Sequence, residues 1–126
     1  MPILFISAEL MFVSRVNSVA ATLGVELQTA LSGAKGEELL ATANPSIVVV
    51  DLSAPGVDIE KLMTTVRVKA QSDGATTTFA PRVVAFAPHV HEQKLAAAKA
   101  AGCDAVLSRG QFDRSIADVL SGKIFE

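Results

Sequence analysis

The chain has 126 residues, 50% of them hydrophobic and 19% charged, with a formal net charge of -2. This is enough apolar material for one folded core and too little length for a second domain, so residues 1–126 read as a single domain. No basic field exists to hold nucleic acid by its phosphates, and aromatics at 5% without Trp or Tyr offer no base-stacking surface.

Pro2–Ser7 is a short apolar run of the kind a buried parallel strand shows. It has no basic flank that would mark a secretory signal, and no apolar stretch approaches the ~20 residues of a membrane span, so a cytoplasmic protein without membrane contact is expected. The lone cysteine, Cys103, excludes an internal disulfide and fits a reducing compartment. Leu10–Leu23 carries Phe12, Val16, Val19 and Leu23 on one side and predicts a helix, with Gly24 at its C-cap. Val25–Ala30 alternates apolar and polar, as a strand near a sheet edge would. Ser32 and Gly33 turn the chain into a second helix over Gly36–Ala43, which Asn44–Pro45 stops.

Ser46–Leu52 holds four β-branched residues in a row, Ile47 to Val50, and predicts the central strand. Ser53–Val57 turns the chain. Asp58 caps a third helix running to about Ala70, and Gln71–Pro81, with Gly74 and a run of threonines, reads as a loop. A fourth strand follows at Arg82–Phe86, then an alanine-rich helix over His91–Ala101 ending at Gly102. A fifth strand at Asp104–Leu107 and a last helix at Asp113–Leu120 complete the chain. Strict β/α alternation predicts an open, doubly wound parallel sheet with right-handed crossovers and helices on both faces. In such sheets the working crevice lies at the C-terminal strand ends. The residues placed there are Ser7 and Ala8, Asp51 to Gly56, Ala87 to His89, and Ser108 to Gly110.

These positions carry a resemblance. Ile3 to Glu9 (ILFISAE) resembles the opening strand and acidic loop of the receiver domains of bacterial two-component response regulators. Ile47 to Gly56 (IVVVDLSAPG) is similar to their phosphoacceptor strand and loop, with Pro55 and Asp58 where that loop often carries a proline and an aspartate. Ala100 to Arg109 resembles the stretch leading to their lysine. The resemblance spans nearly the whole chain and implies a flavodoxin-like (βα)5 fold with strand order 2-1-3-4-5.

It also implies what has been lost. The family moves a phosphoryl group from a histidine kinase to an aspartate, using an acidic pair and Mg²⁺, a hydroxyl residue and a lysine. Here the acidic pair corresponds to Ser7 and Ala8, the acceptor to Asp51, the hydroxyl to Ala87 and the lysine to Arg109. The family's aromatic switch on the fifth strand corresponds to Val106. Mg²⁺ wants several hard oxygen ligands in octahedral geometry, so its binding is expected to be weak or absent, with no other cofactor. Phosphoryl transfer depends on positioning and charge stabilisation, and losing the metal forfeits several kcal/mol of it, to order of magnitude. Arg109 keeps the positive charge, but its planar fork does not substitute cleanly for an ammonium.

Asp51 therefore has two readings: a phosphoacceptor, or a structural carboxylate. The second is favoured, with Asp51 paired to Arg109 and closing the crevice. His89 and His91 lack a third ligand and read as a loop residue and a helix N-cap region. Cys103 reads as a packed residue, and Ser7 and Ser108 have no base that would make them nucleophiles. Gly33 and Gly36 lack the spacing of a phosphate cradle, and no flavin or cobalamin signature is present. The expected function is a non-catalytic pseudo-receiver acting by protein–protein contact. Its partner would be a histidine kinase, an output protein or a second copy, met through the fourth helix, fifth strand and fifth helix. The alternative is an atypical receiver phosphorylated on Asp51. Whether the chain is a whole protein or one domain of a larger sensor or regulator stays open.

Overall fold

A computed structural model of the chain describes residues 2–72 and 81–126. Strands β1 (Ile3–Ile6), β2 (Leu27–Ala30), β3 (Ile47–Asp51), β4 (Arg82–Ala87) and β5 (Ala105–Ser108) alternate with helices α1 (Leu10–Leu23), α2 (Gly33–Thr42), α3 (Ile59–Ser72) and α4 (Glu92–Ala100). Two short helices, α5 (Arg109–Arg114) and α6 (Ile116–Ser121), and a 3₁₀ turn at Lys123–Phe125 follow β5. The strands are all parallel, in the order β2-β1-β3-β4-β5, as expected.

The β-branched run of β3 lies at the centre of the sheet and is buried on both faces. Alternate residues feed two separate cores. Leu4, Ile6, Val48, Val50, Val83 and Ala85 face the aliphatic side, where α2, α3 and α4 bring Leu40, Leu62, Met63, Val66 and Ala98. Ile3, Phe5, Val49, Val84 and Phe86 face α1, α5 and α6. There Phe112 stacks on Phe86 with centroids 4.0 Å apart, and Phe12 meets Phe86 edge-on at 5.7 Å. Each such buried ring contributes roughly 1.5–3 kcal/mol, and each aromatic pair about 0.5–1.5 kcal/mol more.

The α1 bounds and the left-handed Gly24 cap agree with the sequence reading, and β2 lies at the sheet edge. The buried stripe of α1 runs Phe12, Val16, Ala20, the i, i+4, i+8 row of a helix, and leaves Leu23 42% exposed. α2 begins at Gly33 rather than Gly36, because the Ser32 side chain caps it by accepting from the Lys35 amide at 3.2 Å. Asp58 caps α3 in the same way, its Oδ1 accepting from the Lys61 amide at 3.1 Å, and α3 continues to Ser72, past the expected end. The rest of the loop predicted from Gln71, residues 73–80, lies outside the described residues.

The single last helix expected over Asp113–Leu120 is two helices that meet at Ser115, whose φ of -121° and ψ of 15° are not helical. The first starts early because of a capping box. Ser108 Oγ accepts from the Gln111 amide at 3.1 Å, while Gln111 Oε1 accepts from the Ser108 amide at 2.9 Å.

Gly33 and Gly36 are explained by close packing. A Cβ on Gly33 would sit 2.1 Å from the Gly56 carbonyl oxygen, and one on Gly36 would sit 2.4 Å from Ile6 Cδ1. The Gly33 amide also donates to the Pro55 carbonyl at 2.8 Å, which ties the loop after β3 to the start of α2.

Candidate functional site

The register of the sheet builds the site. Ile6 pairs with Val50, so the next residues, Ser7 and Asp51, emerge side by side at the C-terminal ends of β1 and β3. Strand alternation turns both toward the aromatic core, above Phe5 and Phe86. Ser7 is fully buried and Asp51 is 6% exposed, and these are the buried polar residues of the described core.

A carboxylate this deep needs donors, and the chain supplies two. Ser7 Oγ donates to Asp51 Oδ2 at 2.9 Å, and the Ser53 amide donates to Asp51 Oδ1 at 3.0 Å. The Ser7 hydroxyl in turn accepts from the Glu9 amide at 3.2 Å. The Ala54 amide donates to the Asp51 carbonyl at 3.0 Å, which holds the loop over the carboxylate. An open cleft of about 430 Å³, walled by Ala8, Glu9, Leu10, Met11, Asp51, Ser53 and Ala54, reaches this group from solvent.

Arg109, the first residue of α5, does not pair with Asp51. Its guanidinium lies 2.5 Å from Glu9 Oε2 and 4.9 Å from the centre of the Phe12 ring. The expected Asp51–Arg109 ion pair is thus corrected. Both Asp51 oxygens already accept hydrogen bonds, and the longer Glu9 side chain meets the guanidinium out on the rim, where both groups keep part of their hydration. The Phe12 face adds a cation–π contact to the guanidinium.

Ala87 ends β4, fully buried, one residue past the Asp51–Phe86 pair, and brings no hydroxyl to the site. Val106 is half-buried on the opposite, aliphatic face of the sheet. Ala8 lines the cleft with a methyl group only. This donor set is a poor match for Mg²⁺. It contains one carboxylate, already hydrogen-bonded at both oxygens, a serine hydroxyl spent on that carboxylate, and a Glu9 engaged by Arg109.

The other candidates fall outside the cleft. His89 and His91 are exposed, and His91 stands at the N-cap of α4 without a side-chain cap bond. Among the described residues no three His, Cys, Asp or Glu side chains gather as metal ligands would. The Ser108 hydroxyl is the α5 cap. Cys103 packs against the aliphatic core, and its thiol is pushed up to about 11, chiefly by burial and then by the Asp104 charge. Such a thiol stays protonated and unreactive at neutral pH.

Sequence reasoning missed two contacts. The Ser7–Asp51 bond follows from pairing the β1 and β3 runs in parallel and reading one residue beyond each. The Glu9–Arg109 pair has a weaker signal: Glu9 is the long acidic side chain one residue past Ala8.

No protein-family model matches the chain, and no curated protein matches it. Solved structures do. A response regulator signal receiver domain from Bermanella marisrubri is 24% identical, with a TM-score of 0.72 over 98% of this chain and 93% of that one. A chemotaxis response regulator of Vibrio cholerae is 16% identical, with a TM-score of 0.76 over 96% of each chain. The chain has the receiver fold. A third neighbour, a response regulator protein from Burkholderia pseudomallei with a phosphorylated aspartic acid, calcium ion and citrate, is 13% identical. Its TM-score is 0.73, over 98% of this chain and 69% of that one. Among the described residues of this receiver fold, no helix is long and apolar enough to cross a membrane.

Proposed function

We propose that the chain is a non-catalytic pseudo-receiver, a cytoplasmic signalling module that works by protein–protein contact without aspartyl phosphorylation and without Mg²⁺. One observation carries this reading. The Asp51 carboxylate is satisfied from within the chain, by Ser7 Oγ at 2.9 Å and the Ser53 amide at 3.0 Å. In a working receiver site that carboxylate would serve a metal ion and an incoming phosphoryl group. Here the residue beside it is a hydrogen-bond donor, and Arg109, at the position of the family's lysine, is held by Glu9. A nucleophile with both oxygens hydrogen-bonded to fixed donors, and no metal to offset the charge of the phosphoryl oxygens, lacks the main electrostatic contribution to the transfer.

The partner is a protein, a histidine kinase or an output protein, and the α4–β5 side of the sheet suits it. β5 is an edge strand with half-buried residues throughout, and its free edge offers backbone hydrogen-bonding groups.

The test is incubation with Mg²⁺ and a small phosphodonor such as acetyl phosphate, followed by intact-mass measurement. Unmodified protein is the expected result; an acid-labile phosphoryl adduct at Asp51 would sink the reading. A second reading, an atypical receiver phosphorylated on Asp51 by a histidine kinase, is favoured by one feature. The cleft of about 430 Å³ leaves Asp51 within reach of solvent. Partner recovery by wild-type and Asp51→Asn protein separates the two: equal recovery supports phosphorylation-independence, and loss with Asp51→Asn supports the alternative.

A further inference from the structure

Two carboxylates of the fold are held by fixed donors. Asp51 takes one at each oxygen, and Asp104 Oδ2 accepts from the Val83 amide at 2.7 Å. Glu37, in the second turn of α2, has no such support. Its Oε1 is buried and has no hydrogen-bond partner among the described residues. Its Oε2 meets Lys61 Nζ at 3.8 Å, too long for a hydrogen bond. An unpaired buried acceptor bears its desolvation cost in full, and a formal charge raises that cost.

The same side chain lines a cavity of about 260 Å³ between α2 and α3. Its apolar lining includes Ile6 and Leu62, both buried, and the half-buried Val57. Backbone contacts fix its wall. The Gly33 amide donates to the Pro55 carbonyl at 2.8 Å, and Gly33 lies so close to the Gly56 carbonyl that a Cβ would sit 2.1 Å from its oxygen. The cavity is therefore pre-formed, as small-molecule sites usually are. Its charged lining is Glu37, Asp58 and Lys61, two carboxylates against one ammonium.

That balance selects the ligand. An anion would face both carboxylates. A divalent metal lacks ligands: among the described residues no three His, Cys, Asp or Glu side chains gather, and Mg²⁺ wants several hard oxygens. A small cation that brings its own N–H donors and a short apolar body meets both halves of the lining. Rotation about the last torsion of a glutamate is soft and two-fold, so a small turn offers Oε1 to a donor in the cavity. Lys61 leaves that position open, because its side chain is 73% exposed and its Nζ stands off Glu37.

We propose that the α2–α3 cavity binds a small primary amine in its ammonium form. Glu37 accepts from the ammonium in a charge-assisted hydrogen bond, and the alkyl chain lies against Ile6, Val57 and Leu62. The volume is below the ~300–1,000 Å³ of sites for drug-sized ligands, which keeps the chain short. The cavity shares no lining residue with the Asp51 cleft, so the inference holds whether or not Asp51 is ever phosphorylated.

The test is amide NMR of the ¹⁵N-labelled full chain titrated with n-butylammonium at fixed pH and ionic strength. Saturable shifts are expected at Gly33, Ala34, Gly56 and Val57, with a Kd on the order of 1 mM, because so small a ligand buries little area. Two probes separate the contributions. Tetramethylammonium has the charge without N–H donors, and n-butanol has the chain without the charge; each should bind at least about 10-fold more weakly. Glu37→Gln should weaken n-butylammonium roughly 10-fold. Lys61→Met removes the competing cation and should strengthen it about 3-fold. The amide spectrum of each variant shows directly that it is folded. The proposal is overturned by shifts that do not saturate or that map away from α2 and α3, by n-butanol binding as well as the amine, by unchanged affinity in Glu37→Gln, or by weaker binding in Lys61→Met.

Discussion

On the floor of the cleft, Asp51 is 6% exposed and takes its donors from Ser7 and Ser53. On the rim, Glu9 and Arg109 are 44% and 41% exposed and satisfy each other. Both regions hold a carboxylate with a polar partner, yet the physics differs. The floor has little water to replace a lost donor, so an orphaned oxygen there bears its full desolvation cost. The rim is hydrated and screened by salt, so the same loss costs little. The electrostatic weight of the site lies in the floor, where the Ser7 hydroxyl and the Ser53 amide hold the buried carboxylate.

The strongest way to break this contrast is Ser7→Asp. It sets a second carboxylate against Asp51 in a buried place, with no cation bound. The expected cost is roughly 3 kcal/mol, the order of an uncompensated buried charge. Two such acids cannot both ionise freely, so one carboxyl has its folded-state pKa raised above its unfolded value. The associated stability is present at low pH and is lost as pH rises through the raised pKa. Urea unfolding of this variant across pH 4–8 should show stability falling with pH. Added Mg²⁺ should recover part of the loss in the variant and leave the wild-type melting temperature unchanged. Equal Mg²⁺ stabilisation of the two proteins would show that the wild-type floor already holds the ion.

Ser7→Ala comes next. It removes the donor to Asp51 Oδ2 and the acceptor for the Glu9 amide, with little change in volume. The expected loss is about 1–3 kcal/mol, set by the buried oxygen left without a partner. Asp51 is 6% exposed, so salt screens its hydrogen bond far less than it screens the rim pair, and the loss should persist at high salt.

How much of this was readable in the sequence depends on the range of the interaction. Local signals held well. The β-branched run Ile47–Val50 is the central strand, Leu10–Leu23 is a helix closed by Gly24, and Asp58 caps the next one. These rest on periods and caps that a few neighbouring residues decide. The capping box from Ser108 to Gln111 was just as local and was passed over, so α5 came into view only with the structure. The break at Ser115 leaves no mark, since Phe112, Ile116, Val119 and Leu120 form one continuous apolar stripe. Asp51 at the strand end was legible, but its partner was not. Strand order and spacing bring Ser7, Glu9 and Arg109 to the same crevice. Which of them touch depends on side-chain length and on the Phe12 face, and no spacing encodes either.

The smallest effect tests the rim directly. Arg109→Ala deletes a half-exposed ion pair, worth about 0–1 kcal/mol, and a cation–π contact on Phe12, worth about 0.5–1 kcal/mol. The combined loss should stay near 1 kcal/mol and should shrink as salt is added, unlike the Ser7→Ala loss. Arg109→Lys should keep most of the charge pairing with Glu9 but lose the planar stacking on Phe12, and so fall between wild type and alanine. Salt-dependent urea unfolding of the three proteins checks this. If Arg109→Ala cost as much as Ser7→Ala and were insensitive to salt, Arg109 would be acting on the buried carboxylate after all. The separation of floor from rim would then fail, and with it the reason for reading Asp51 as satisfied from within.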